Sequence, residues 1–179
     1  MRSYIFLPTW QIFAALGLGF VFHKLSKFNI LVLFTFAILI LFSIATFYKN
    51  YFIVFPKEQS SSFQYALSKA IPYVRENQDR YDKIVFDNQD NLYQSYMHFL
   101  YHSRYDPKKY QSGGGTKSGG FAQTHTFDKY EFRPVDLKKE SIEKGVLYIV
   151  NAKEAVDNKP ALKTFNNFNG IEAIKIFSL

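Results

Sequence analysis

The chain opens with two long stretches that carry no charged side chain. Phe28 to Tyr48, "FNILVLFTFAILILFSIATFY", is an uncharged run of 21 residues. At 1.5 Å per residue it predicts roughly 32 Å of helix, matching the ~30 Å hydrocarbon core of a bilayer. Its few Thr and Ser hydroxyls can bond back to the helix's own carbonyls. Tyr4 to Phe22, "YIFLPTWQIFAALGLGFVF", is also uncharged and long enough for about 28 Å of helix. Gly17 and Gly19 give it a small-residue surface for close helix packing, and Pro8 falls near one end. A signal peptide is the competing reading. Against it, the run exceeds a usual h-region, and no small-x-small cleavage site separates it from the second span. Five residues, "HKLSK", join the two runs, so they are expected to form a transmembrane hairpin. Lys24 and Lys27 in that link place it in the cytoplasm by the positive-inside tendency. The region after Tyr48 is then extracytoplasmic; Arg2 argues mildly the other way.

After Tyr48 the pattern changes. Tyr51–Phe55, "YFIVF", reads either as a first strand or as an interfacial aromatic belt. Phe63, Ala66, Leu67, Ala70, Ile71 and Val74 then fall on one helical stripe. Ser60 to Ser62 stand as N-cap candidates, and Pro72 should kink or restart the helix. Ile84-Val85-Phe86 reads as a strand buried on both faces. A second helix is expected from Asp90 to about Ser103, its apolar residues largely aromatic. Asp106-Pro107 breaks it. Tyr130 and Phe132 alternate with Lys129, Glu131 and Arg133, as in a strand with one wet side. Asp136 to Lys144 resembles a short helix stopped by Gly145. Val146–Val150 is a second all-apolar strand. Residues 151–170 are expected to hold one or two short helices, and Ile171–Phe177 a last strand. The alternation predicts an α/β fold: a transmembrane hairpin over 1–48, then a small extracytoplasmic α/β sandwich domain over 49–179 with a Gly-rich loop at 112–120.

Charge sharpens this division. The formal net charge is +7, yet every acidic residue lies after Tyr48, and the head carries only Arg2, Lys24 and Lys27. The remainder is mildly basic, which does not imply nucleic acid. There is no cysteine, so disulfides and thiolate zinc sites are excluded.

The body offers candidate chemical motifs. "QSGGGTKSGGFAQ", Gln111 to Gln123, invites a phosphate-loop reading. A P-loop needs glycine directly before its lysine, with a strand before and a helix after. Thr116 precedes Lys117, a helix and a Pro break come before, and a strand follows. The dinucleotide fingerprint fails on the same context, so the loop reads as a flexible connection. "DNQDNL", Asp87 to Leu92, lacks the glycine and glutamate of a calcium loop and reads as a strand-to-helix turn. His98 and His102 share a helix face, but Phe99 stands where a zincin carries glutamate, so they read as structural. No G-x-S-x-G elbow is present. No complete catalytic constellation emerges.

Two stretches carry a resemblance: "YDKIVFDNQDNLYQSYMHFLYHSRYDPKKYQ" (Tyr81 to Gln111) and "GGFAQTHTFDKYEFRPVD" (Gly119 to Asp136). With the apolar helices before them, they resemble the C-terminal extracytoplasmic domain of bacterial GT-C-type membrane glycosyltransferases, relatives of protein O-mannosyltransferases and lipid A aminoarabinose transferases. The resemblance implies a sugar donor linked to polyprenyl phosphate, an acceptor outside the cytoplasm and the bilayer as a constant partner. It also implies a catalytic carboxylate in the first outer loop of a chain with many spans. No position here matches that carboxylate, so no residue takes a catalytic role. The expectation is a C-terminal fragment, inactive alone, with no metal ligand assigned and the cofactor open. Lys117, Tyr110 and Arg133 are the candidate substrate-binding residues. The alternative is a stand-alone membrane-anchored binding or scaffold module; a third reading puts the body in the cytoplasm.

Overall fold

The computed structural model describes residues 7–24, 29–116, 124–155 and 160–179. The chain divides into two compact units, Met1–Ile53 and Val54–Leu179.

The first unit holds helices α1 (Leu7–Lys24) and α2 (Asn29–Tyr48). Their side chains are largely exposed, as an apolar surface that seeks a non-aqueous neighbour must be. Phe22 and Phe36 stack with ring centroids 5.2 Å apart. The Thr35 hydroxyl donates to the Leu31 carbonyl at 2.9 Å, which hides its polarity within the helix. Helical geometry continues past α2. A π-helical stretch, Lys49–Val54, leads into α3 (Phe55–Gln59). The strand reading of Tyr51–Phe55 is therefore corrected. Rings four residues apart share a helix face here: Phe47 with Tyr51 at 5.5 Å and Tyr48 with Phe52 at 4.9 Å. Among the described residues, one helix, Ile30–Gln59, is long and apolar enough to cross a membrane.

The second unit is mixed α/β, built on one six-stranded sheet. Helix α4 (Tyr65–Asn77) buries Ala66, Leu67, Ala70, Ile71 and Val74, the predicted stripe without Phe63. Phe63 precedes the helix and is 65% exposed. Ser60 does not cap α4, because its hydroxyl donates back to Lys57 at 3.0 Å. Gln64, in the left-handed region at φ 52°, begins the helix instead. Pro72 neither ends nor restarts α4; it sits on the exposed side, away from the core.

The strands are β1 (Lys83–Asp87), β2 (His125–Phe127), β3 (Tyr130–Arg133), β4 (Val146–Asn151), β5 (Lys163–Asn166) and β6 (Glu172–Phe177). Their order is β2-β3-β1-β4-β6-β5. β1 runs parallel to both neighbours, β3 and β4, while the outer strands are antiparallel. Between β1 and β2 lie α5 (Ser95–Ser103) and α6 (Pro107–Ser112). The helix expected from Asp90 starts later, since Asp90–Leu92 makes only a 3₁₀ turn and Gln94 takes a left-handed conformation at φ 58°.

Period-two alternation sends the sheet's side chains to two unlike faces. On one, Ile84, Phe86, Phe132, Leu147, Ile149 and Ile176 meet α4 and α5. On the other, Val85, Val146, Tyr148, Val150 and Phe177 meet Val135, Leu137 and Ile142. Leu137 and Ile142 belong to the Asp136–Lys144 segment expected to be helical. It forms turns instead, because Leu137 and Ile142, five positions apart, would face different sides of a helix. The Asp136 side chain caps the turn, accepting from the Lys138 amide at 3.0 Å. The described part of residues 151–170 holds a 3₁₀ turn, Ala152–Glu154, and the edge strand β5 where helix was expected; 156–159 lie outside the described residues.

Candidate functional site

The site lies beside the β2 edge of the sheet, where α5, α6 and the chain on either side of α6 line one pocket. α6 is set by its own sequence. The Asp106 carboxylate accepts from the Lys108 amide at 2.9 Å, and Pro107 occupies the first turn, where its missing N–H costs nothing. This cap places Tyr110 one turn into the helix. Nearby, the Tyr105 hydroxyl and the Lys109 ammonium both donate to Asp128, at 2.5 and 2.6 Å. Asp128 is held below the usual carboxylate range mainly by Lys109 and then by Tyr105. The shared carboxylate ties α6 to the β2–β3 turn.

The Tyr110 hydroxyl stands 2.7 Å from His125 Nε2 and 2.8 Å from Thr116 Oγ1. Burial lowers the His125 pKa and raises that of Tyr110, so a neutral imidazole meets a neutral phenol. The His125 ring also packs on Tyr96, centroids 4.5 Å apart. Tyr96 is 1% exposed, and its hydroxyl has no hydrogen-bond partner. Tyr96, Met97, Tyr101, Tyr105, Tyr110 and Thr116 are among the residues lining a pocket of 370 Å³. That volume is within the ~300–1,000 Å³ range of small-molecule sites. Phenol rings give flat apolar walls, and their hydroxyls both donate and accept. The pocket can therefore bind a polyhydroxyl group.

The sequence candidates separate in space. Tyr110 lies in the pocket. Arg133, at the end of β3, alternates with Phe132 and so points to the other face of the sheet. There its guanidinium grips Glu140 with two hydrogen bonds of 2.9 and 2.6 Å and lies 3.4 Å from Glu131. Lys117 lies outside the described residues. Tyr96 and His125 were not singled out by sequence, since nothing local marks a hydroxyl that tertiary packing will strand. His98 and His102 stack at 6.1 Å, and burial lowers the His98 pKa. Among the described residues, no three His, Asp or Glu side chains cluster to hold a metal.

One carboxyl group has a pKa near neutrality. Asp87, at the carboxyl end of β1, is fully buried. It accepts from the amides of Val135 at 3.4 Å and Asn151 at 3.3 Å. These bonds are long, so burial outweighs them and pushes the group up to about 6. It ties the ends of β1 and β4 to the chain leaving β3.

Comparison with known protein families, curated proteins and solved structures found no match. The fold and site define the class: a small α/β domain, preceded by an apolar helix, with a tyrosine-walled pocket at one sheet edge.

Proposed function

We propose that this chain is the C-terminal, membrane-anchored part of a glycosyltransferase that takes its sugar from a polyprenyl-phosphate carrier. In this reading α1 and α2 form an antiparallel transmembrane hairpin, and the α/β domain stands outside the cytoplasm and receives the acceptor. The catalytic carboxylate comes from a region beyond these residues. It would take the acceptor's hydroxyl proton as the new glycosidic bond forms and the lipid phosphate leaves.

The observation that carries the reading is the buried, unpartnered Tyr96 hydroxyl beside the Tyr110–His125 pair. A stranded donor costs stability, and a hydroxylated ligand in the pocket would satisfy it. The resemblance supplies the reaction class. The exposed apolar helix supplies the anchor, and the commitment of Asp87 to backbone amides agrees with catalysis lying elsewhere.

The test is made in cells that produce the complete glycosyltransferase, with Tyr96 and Tyr110 both changed to Phe in its C-terminal domain. Glycosylated products and the polyprenyl-phosphate sugar pool are followed by mass spectrometry. The expected result is at least tenfold less product and an accumulating donor. Normal levels of both, with the variant present in membranes, would overturn the proposal. Alkaline phosphatase fused after Leu179 should be active, and an inactive fusion would place the domain in the cytoplasm.

A further inference from the structure

A second opening lies toward the opposite edge of the sheet, at the carboxyl ends of β1 and β4. Its volume is 230 Å³, and its lining includes Gln64, Asn91, Asn151, Asn167 and Asn169. Five carboxamides around one small cleft are an unusual concentration of neutral groups that both donate and accept.

Gln64 fixes what is missing. Its Nε2 donates to the Tyr93 carbonyl at 2.6 Å. A carbonyl only accepts, so this bond determines which end of the carboxamide is which. The other end, Oε1, is buried and has no partner. The backbone holds Gln64 at φ 52°, outside the usual range for a residue with a side chain. The unmet atom is an acceptor, so an occupant must bring a donor. The remaining carboxamides define the rest of the occupant. Asn151 and Asn169 spend their Oδ1 atoms on the amides of Lys153 and Ile171, each at 3.1 Å, and keep their NH₂ groups as donors. The cleft thus asks for a ligand with both hydroxyl donors and oxygen acceptors. An anion without a hydroxyl, such as sulfate, meets the NH₂ groups but leaves Gln64 Oε1 unsatisfied. The lining carries one cation, Lys153, and one carboxylate, Glu172, so its formal charge is zero. The cleft is also smaller than sites for drug-sized ligands, so one ring fills it.

We infer that this carboxamide cleft is a binding site for a single neutral pyranose unit, with Gln64 Oε1 accepting a sugar hydroxyl. The inference goes beyond the proposed function and uses none of the tyrosine pocket's residues. A site for one sugar ring, far along the sheet from the first pocket, would let the domain hold a glycosylated molecule at two points.

The test uses the full chain in detergent micelles, with methyl α-D-glucopyranoside, methyl α-D-mannopyranoside and inorganic sulfate as probes. Side-chain amide resonances are followed by NMR. The expected outcome is saturable movement of the Gln64, Asn91 and Asn167 NH₂ signals with at least one pyranoside, Kd about 1 mM, and none with sulfate. Asn91→Ala, an exposed position, should weaken this at least fivefold without altering core methyl signals; Gln64→Leu should abolish it. Movement with sulfate alone, or with no probe, overturns the inference. Shifts confined to Tyr110 and Thr116 also overturn it, because the sugar would then occupy the other pocket.

Discussion

Tyr96 and Asp87 are both buried polar residues, and they fail to find good partners for different reasons. Tyr96 belongs to an aromatic helix face whose packing seals its hydroxyl away from water without supplying an acceptor. Tyr96→Phe should therefore raise stability by about 1 kcal/mol, or roughly 3 °C in melting temperature, while removing the pocket's affinity for hydroxylated ligands. A fall in melting temperature would show that the hydroxyl has a partner in the free protein. Asp87 makes a pH-dependent contribution. Its pKa rises from 3.8 in the unfolded chain to about 6 in the fold, so the folded state binds its proton more tightly. The stabilisation is fully present below the unfolded value and is lost as pH rises through about 6. Chemical denaturation between pH 4 and 7 should show this fall, and Asp87→Asn should flatten it. Tyr110 was legible in the sequence because it sits one turn beyond a Pro break and next to a glycine-rich link. Tyr96 and His125 were not, because their meeting joins a helix to an edge strand nearly thirty residues away.

Elements were legible where both faces or one clear stripe are buried. β1 and β4 read correctly as apolar runs, since α4 and α5 cover one side and the Val135–Ile142 segment the other. The stripe of α4 was equally plain. β2 and β5 were hidden because they are short outer strands: "HTF" and "KTFN" bury too little to print a pattern. The Asp136–Lys144 segment misled for the opposite reason, being charged enough for a surface helix while burying residues at irregular spacing. Two substitutions probe these elements. Phe132→Ala removes a ring stacked on Phe86 at 5.0 Å and on Phe127 at 5.4 Å. It should cost about 3–5 kcal/mol, read as a lower denaturant midpoint. Gly145 precedes β4 at φ +78°, and an added Cβ would lie 2.8 Å from the Asp82 carboxylate. Gly145→Ala should cost about 1–2 kcal/mol and leave ligand binding at both clefts unchanged.

At the scale of the whole chain, two kinds of surface coexist. Ile30 is 86% exposed and Phe42 70%, in a helix with no charged residue from its start to Tyr48. The α/β unit buries its own core. The full chain should sediment with membranes and resist alkaline carbonate, whereas residues 54–179 expressed alone should unfold cooperatively and stay in solution without detergent. Carbonate-extractable full chain would remove the anchor from the picture.

The direction of β6 has a practical consequence. It runs against β4, pairing Phe177 with Tyr148 and Ile174 with Asn151. The chain therefore finishes near where β4 begins, while the carboxamide cleft lies near where β4 ends, some 15 Å away at the usual strand rise. Leu179 is itself 70% exposed. A biotin or sensor-chip tether placed there would hold the domain with its sugar-seeking end turned outward, so immobilised protein keeps that end clear for glycan arrays.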